Sequence, residues 1–149
     1  MLLAVALAAF AACGGDGGSP VQPTPTGGAP TDTDADTAAA RRAVDAWLAL
    51  IDAGDYDGAY DATATSFREN VTAEEFRRET GMVRATLGAI RSRTVATTRR
   101  TTTLPDAPPG DYIVFEFDAV YERRPDTGER VTAVLEDGEW RVVGYYIIR

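Results

Sequence analysis

Apolar residues in "DTAAARRAVDAWLALIDAGD", residues 36–55, recur with a helical period: Val44, Trp47, Leu48 and Ile51 stand at i, i+3, i+4 and i+7. Arg41, Arg42, Asp45 and Asp52 lie mostly off that stripe. The spacing predicts an amphipathic helix over about 38–53, with Asp36 or Thr37 as its cap and Gly54 placed to end it in a left-handed turn. A weaker segment follows, "YDGAYDATATSF", in which Tyr56, Tyr60 and Phe67 could face inward despite Gly58 and the threonines. Better marked is the next helix. Thr72 and Glu75 form a capping box, and Phe76, Val83 and Leu87 trace an apolar stripe that runs to Gly88.

From Gly88 the period shortens to two. Loose alternation in "AIRSRTVATTRRTTT" predicts a strand near 89–103, and "LPDAPPG" breaks it, because proline cannot continue a ladder. In "DYIVFEFDAVYE", Ile113, Phe115, Phe117, Ala119 and Tyr121 share one face; Tyr112, Val114, Glu116, Asp118 and Val120 share the other. "PDTG" turns into a third strand, "ERVTAVLE". Asp137-Gly138 is a strong hairpin signal leading into "EWRVVGYYII". Alternation there sends Trp140, Val142 and Tyr146 to one face and Val143, Tyr145 and Ile147 to the other.

Helices followed by an antiparallel meander predict an α+β fold in which N-terminal helices pack on one face of a curved four-stranded sheet. By analogy this resembles the NTF2-like cone, with a cystatin-like single helix on a sheet as the second choice.

Upstream of the helices the pattern is different. Residues 1–12, "MLLAVALAAFAA", are apolar throughout but shorter than the roughly 20 residues of a spanning helix. They read as the core of an export signal. Phe10, Ala11, Ala12 and Cys13 resemble the bacterial lipobox, with Phe10 where leucine is usual and no basic residue ahead of the apolar run. That resemblance implies cleavage before Cys13 and acylation of its sulfur and new amino terminus by palmitate-like chains, which anchor a protein at about 0.8 kcal/mol per buried methylene. An ordinary secretory signal cut after Ala9, Phe10 and Ala11 is the alternative. Residues 14–37 are rich in Gly, Thr, Pro and Asp, a linker composition. The expected organisation is a signal over 1–12, a lipidated Cys13 and linker over 13–37, and an α+β domain over 38–149. The expected address is a bacterial membrane surface outside the cytoplasm, the periplasmic face of the outer membrane where the cell has one.

"WLALIDAGDY", "RATLGAIRSR", "LPDAPPGDYIVFEF" and "LEDGEWRVVGYYI" together resemble the family catalogued as domain of unknown function 4019, across most of the chain after the linker. The resemblance implies an exported bacterial protein and brings no assigned activity. Arg130 stands where threonine is frequent in that pattern, and Tyr60 and Phe76 stand where tryptophan is.

The charge narrows the chemistry. A net charge of −8 sets the chain against phosphate backbones, so nucleic acid is not an expected partner. All 15 basic residues are arginine and there is no histidine, which removes the commonest metal ligand and the usual base of a Ser-His or Cys-His pair. Neither a metal nor a cofactor is expected. Three readings stand. A small-molecule-binding or accessory module would use a pocket drawn from Trp47, Tyr60, Phe115, Phe117, Trp140 and Tyr146, aromatic bodies suited to an amphiphile. An envelope protein-protein interaction domain would instead expose an apolar patch. A carboxylate-dependent isomerase or dehydratase would need Glu116 or Asp118 desolvated in a pocket, against the plainer expectation that they pair with Arg141, Arg91 or Arg93 on an open sheet face. Arg84, Arg91, Arg93, Arg99 and Arg100 could gather an anion, or simply be solvated.

Overall fold

The computed structural model describes residues 32–148. The expected export signal, Cys13 and the expected linker up to residue 31 lie outside the described residues. The first helix, α1 (Asp32–Ala53), begins six residues earlier than the composition of the linker suggested. Asp32 and Asp34 occupy its first turn, where the helix dipole favours negative charge, and Asp36 pairs with Arg100 at 2.9 Å. Polar residues thus extend a helix whose apolar stripe starts only at Ala40.

Two short helices follow, α2 (Tyr56–Asp61) and α3 (Thr65–Arg68). The Asp55 side chain accepts from the Gly58 N–H, which caps α2 in spite of its glycine. Tyr56, Tyr60 and Phe67 pack on the core, as their spacing suggests. α4 (Ala73–Leu87) carries the expected capping box between Thr72 and Glu75. Its inward stripe differs from the expected one: Phe76, Thr80, Arg84 and Leu87 are buried and Val83 is 40% exposed. The steps of four, four and three from Phe76 follow the helical repeat, and they place a hydroxyl and a guanidinium where apolar side chains were anticipated.

The strands β1 (Ile90–Thr101), β2 (Tyr112–Tyr121), β3 (Thr127–Glu136) and β4 (Glu139–Ile147) form one antiparallel meander in the order β1-β2-β3-β4. Helices then sheet is the α+β plan the pattern predicts, with several helical segments rather than a single one. The β3-β4 turn has φ of 51° at Asp137 and 82° at Gly138, both left-handed, as a two-residue hairpin requires. Ile113, Phe115 and Phe117 of β2 pair with Ala133, Val131 and Glu129 of β3, and this face meets Val44, Trp47, Leu48 and Ile51 of α1 in the core. Register shifts interrupt β1 twice and the β3-β4 ladder once, between Thr132 and Ala133. Such bulges bend a strand and raise its twist, which curves the sheet around the helices.

The β4 bulge corrects the expected alternation. Ala133 pairs with Val142 and Thr132 with Gly144, so Val143 is the extra residue. Beyond it the faces exchange. Tyr145 turns inward against the core, and Tyr146, opposite Arg130, turns outward with 61% of its surface exposed.

Candidate functional site

Between α4 and the edge strand β4 lies a groove of about 420 Å³. Trp47 of α1 forms its floor. Phe76, Thr80 and Val83 line it from α4, and Val142 and Tyr145 line it from β4. The aromatic wall is held in place. The Trp47 indole N–H donates to the Ala59 carbonyl at 2.8 Å, and its ring meets Tyr145 edge-on with centroids 5.3 Å apart. Phe76 stands 6.3 Å from Trp47 and 5.8 Å from Phe67. Tyr146 reaches the groove from outside the sheet: its ring lies so near the Gly144 backbone that a Cβ there would come 3.3 Å from Cε2.

Tyr145 also faces a polar cluster under the groove. Its hydroxyl donates to Glu129 Oε1 at 2.7 Å, and Tyr121 donates to the same oxygen. Glu129, with 0% exposure, is further bound by Arg93, whose Nη1 and Nη2 reach Asp52 at 2.8 and 3.1 Å. Arg84 donates to Asp52 at 2.8 Å and to the Tyr121 hydroxyl, and its guanidinium lies 4.8 Å from the centre of the Tyr121 ring. Two arginines and two carboxylates cancel in charge. Among the described residues no buried side-chain nitrogen or oxygen lacks a partner. Such a closed set offsets much of the cost of taking ions out of water.

The titration behaviour follows from that burial. Desolvation works against the Arg93 charge, yet the hydrogen bonds to Asp52 and Glu129 outweigh it and hold its pKa above the ordinary arginine value. Arg84 moves the same way, with burial opposed by Tyr121, Tyr145 and Asp52. Burial and then the Glu129 carboxylate push the Tyr121 hydroxyl up to about 12, and they raise Tyr145 as well.

The model of a family described as "Protein of unknown function (DUF4019)" matches residues 43–145, a span containing the polar cluster and all of the groove's lining except Tyr146 and Ile147. The chain belongs to the DUF4019 family. No curated protein matches this DUF4019 chain. Among solved structures, a Campylobacter jejuni protein described as an NTF2-like transpeptidase is 13% identical to it, with a TM-score of 0.43, over 75% of this chain and 97% of that one.

In this DUF4019 domain the aromatic residues singled out in the sequence do not act as one set. Trp47 and Tyr146 line the groove, whereas Phe115 and Phe117 are buried in the core, stacked with centroids 6.3 Å apart. Trp140 is buried near the hairpin, and Tyr60 ties its hydroxyl to the Val71 carbonyl at 2.8 Å. Glu116 and Asp118 lie on the sheet face turned away from the helices. Glu116 accepts from Arg130, its cross-strand neighbour, at 2.9 and 2.7 Å rather than from Arg141, Arg91 or Arg93, and Asp118 is exposed. Arg130 thus balances a carboxylate on the solvent face. Of the arginines grouped as an anion site, Arg84 and Arg93 are internal, Arg91 and Arg100 pair with Glu122 and Asp36, and Arg99 is exposed.

Glu129 and Asp52 were the missed members of the polar cluster. The signal for Glu129 is its parity with Val131 and Ala133, which places a carboxylate on the buried face and therefore demands buried donors. Among the described residues, no group of three or more His, Cys, Asp or Glu side chains is placed to hold a metal ion, and no helix is long and apolar enough to cross a membrane.

Proposed function

We propose that this chain is a binding module that takes a small amphiphile into the groove between α4 and β4. The observation that carries the reading is the fixed aromatic wall of Trp47, Phe76 and Tyr145 around an open volume of about 420 Å³. Pre-formed concave sites with mostly apolar walls and a few polar groups are the usual receptacles of small ligands. Glu79, Thr80 and Tyr146 supply the polar groups here. The test is calorimetric titration of the full chain with dodecyl maltoside below its micelle concentration, read in parallel by tryptophan emission. Saturable binding that Val83→Glu abolishes is the expected result, since Val83 is an exposed wall residue. Absence of saturation in the wild-type chain overturns the reading.

The module is carried, in this proposal, on a lipid at Cys13 outside the cytoplasm, its support being the lipobox-like "FAAC" after an apolar run. Cys13→Ser should move the protein from the membrane to the soluble fraction. Retention in the membrane would contradict the anchor.

A second reading, contact with an envelope protein, is favoured by the exposed apolar side chains of Met82, Val83 and Tyr146. A photo-crosslinking residue in place of Met82 would report it as one discrete adduct in intact cells.

A further inference from the structure

We infer that the amphiphile this groove receives carries an anionic head, and that Arg124 holds it. The inference rests on the groove being a binding site, and it names the class of ligand.

A second recess of about 290 Å³ adjoins the groove, and the two share Val83 and Ile147 as walls. Thr86 and Leu87 continue it along α4, and Arg124, in the turn between β2 and β3, closes it. An apolar body lying against Trp47 and Phe76 can therefore continue past Val83 toward a guanidinium.

Arg124 differs from the other arginines in what its charge meets. Arg84 and Arg93 are neutralised inside, while Arg41, Arg77, Arg78, Arg91, Arg100, Arg130 and Arg141 each have a carboxylate within 4.0 Å. Arg68 and Arg123 donate to backbone carbonyls. Among the described residues, Arg42, Arg68, Arg99, Arg123 and Arg124 have no carboxylate at that distance, and of these Arg124 alone lines a recess. Glu122 and Asp126, the acids of the same turn, do not line it, and Glu122 pairs with Arg91 at 3.4 Å.

The position of Arg124 is fixed from behind. Its carbonyl accepts from the Tyr121 N–H and from the Thr127 hydroxyl, each at 3.0 Å, so the turn presents the side chain from a braced backbone. Glu79, the one ionisable carboxylate on the groove wall, is already matched by Arg78 at 3.6 Å. The cation left uncompensated at the far end selects an anion, and a guanidinium fork suits a carboxylate or phosphate.

The experiment titrates the full chain with three probes of one chain length below their micelle concentrations: dodecanoate, dodecyl maltoside and dodecyltrimethylammonium. Dodecanoate should bind about three- to tenfold tighter than the maltoside, the range of one partly exposed charge-assisted contact, and the cation more weakly than either. Arg124→Gln should erase the preference, so that dodecanoate binds no tighter than the maltoside. Arg42→Gln, which alters net charge equally at a site outside both recesses, should keep the preference. Equal affinities in the wild type, a preference that survives Arg124→Gln, or one that Arg42→Gln also erases would each overturn the inference while leaving the groove standing. Failure of the maltoside to bind wild type would instead bring down the groove reading itself. Vesicles of phosphatidylglycerol and phosphatidylcholine separate a soluble ligand from a lipid surface: a response to anionic vesicles without binding of monomeric dodecanoate also overturns it.

Discussion

Tyr145 and Glu129 join the groove to the polar interior: the ring of Tyr145 lines the one, and its hydroxyl donates at 2.7 Å to the fully buried carboxylate in the other. Removing that hydroxyl leaves Glu129 with its Tyr121 and Arg93 donors. Tyr145→Phe should therefore fold and lose about 1.5 kcal/mol in a urea titration, the low end for a hydrogen bond to a charged acceptor whose other donors stay in place.

Removing the carboxylate is a different matter. Glu129→Ala strands the Arg93 charge with Asp52 as its remaining anion, and breaking a buried pair from one side costs about 3–5 kcal/mol. The urea midpoint should fall clearly further than in Tyr145→Phe, at unchanged slope. Replacing Arg93 with Met in the same chain should recover part of the loss.

Alkaline pH should weaken the fold. Tyr121 titrates up to about 12 when folded, above the ordinary value near 10, and Tyr145 is raised too. Their contribution is complete below pH 10. It is lost as pH climbs through 10 toward 12, because the unfolded chain ionises first. Absorbance at the phenolate band should show Tyr121 and Tyr145 ionising only together with loss of structure.

The outer sheet face should be quiet. Glu116 pairs with Arg130 in water, and an exposed ion pair is worth at most about 1 kcal/mol. Glu116→Gln with Asp118→Asn should leave amphiphile binding unchanged in the calorimetric assay and shift stability by less than that amount.

At the N-terminus of α4, Thr72→Ala removes the hydroxyl that accepts from the Glu75 N–H and donates to its carboxylate. A loss of about 1 kcal/mol is expected, measured by thermal or urea unfolding, with the rest of the domain unaltered.

Local chemistry was legible wherever one residue's own geometry decides the outcome. The Thr72–Glu75 box, the Asp137-Gly138 hairpin, the stripe of Val44, Trp47, Leu48 and Ile51, and the inward column of Ile113, Phe115 and Phe117 all read directly from spacing. What stayed hidden depends on partners far along the chain. Arg93 goes inside because Asp52 and Glu129 wait there, 41 and 36 residues away. Val83 and Tyr146 were misplaced because a stripe extrapolated from apolar letters overlooks Thr80 and Arg84, and because strict alternation overlooks a bulge. Asp32 to Thr37 looked like leash by composition, yet acidic residues in a first turn and the Asp36–Arg100 pair make them helix.

The supernumerary Val143 has a wider meaning. By slipping the last strand one step, it decides which of two adjacent tyrosines anchors the interior and which greets a visitor at the rim. Were Val143 instead paired into a regular ladder, the two tyrosines would trade places, so the durability of the scaffold and the shape of its receiving surface hang on one backbone irregularity.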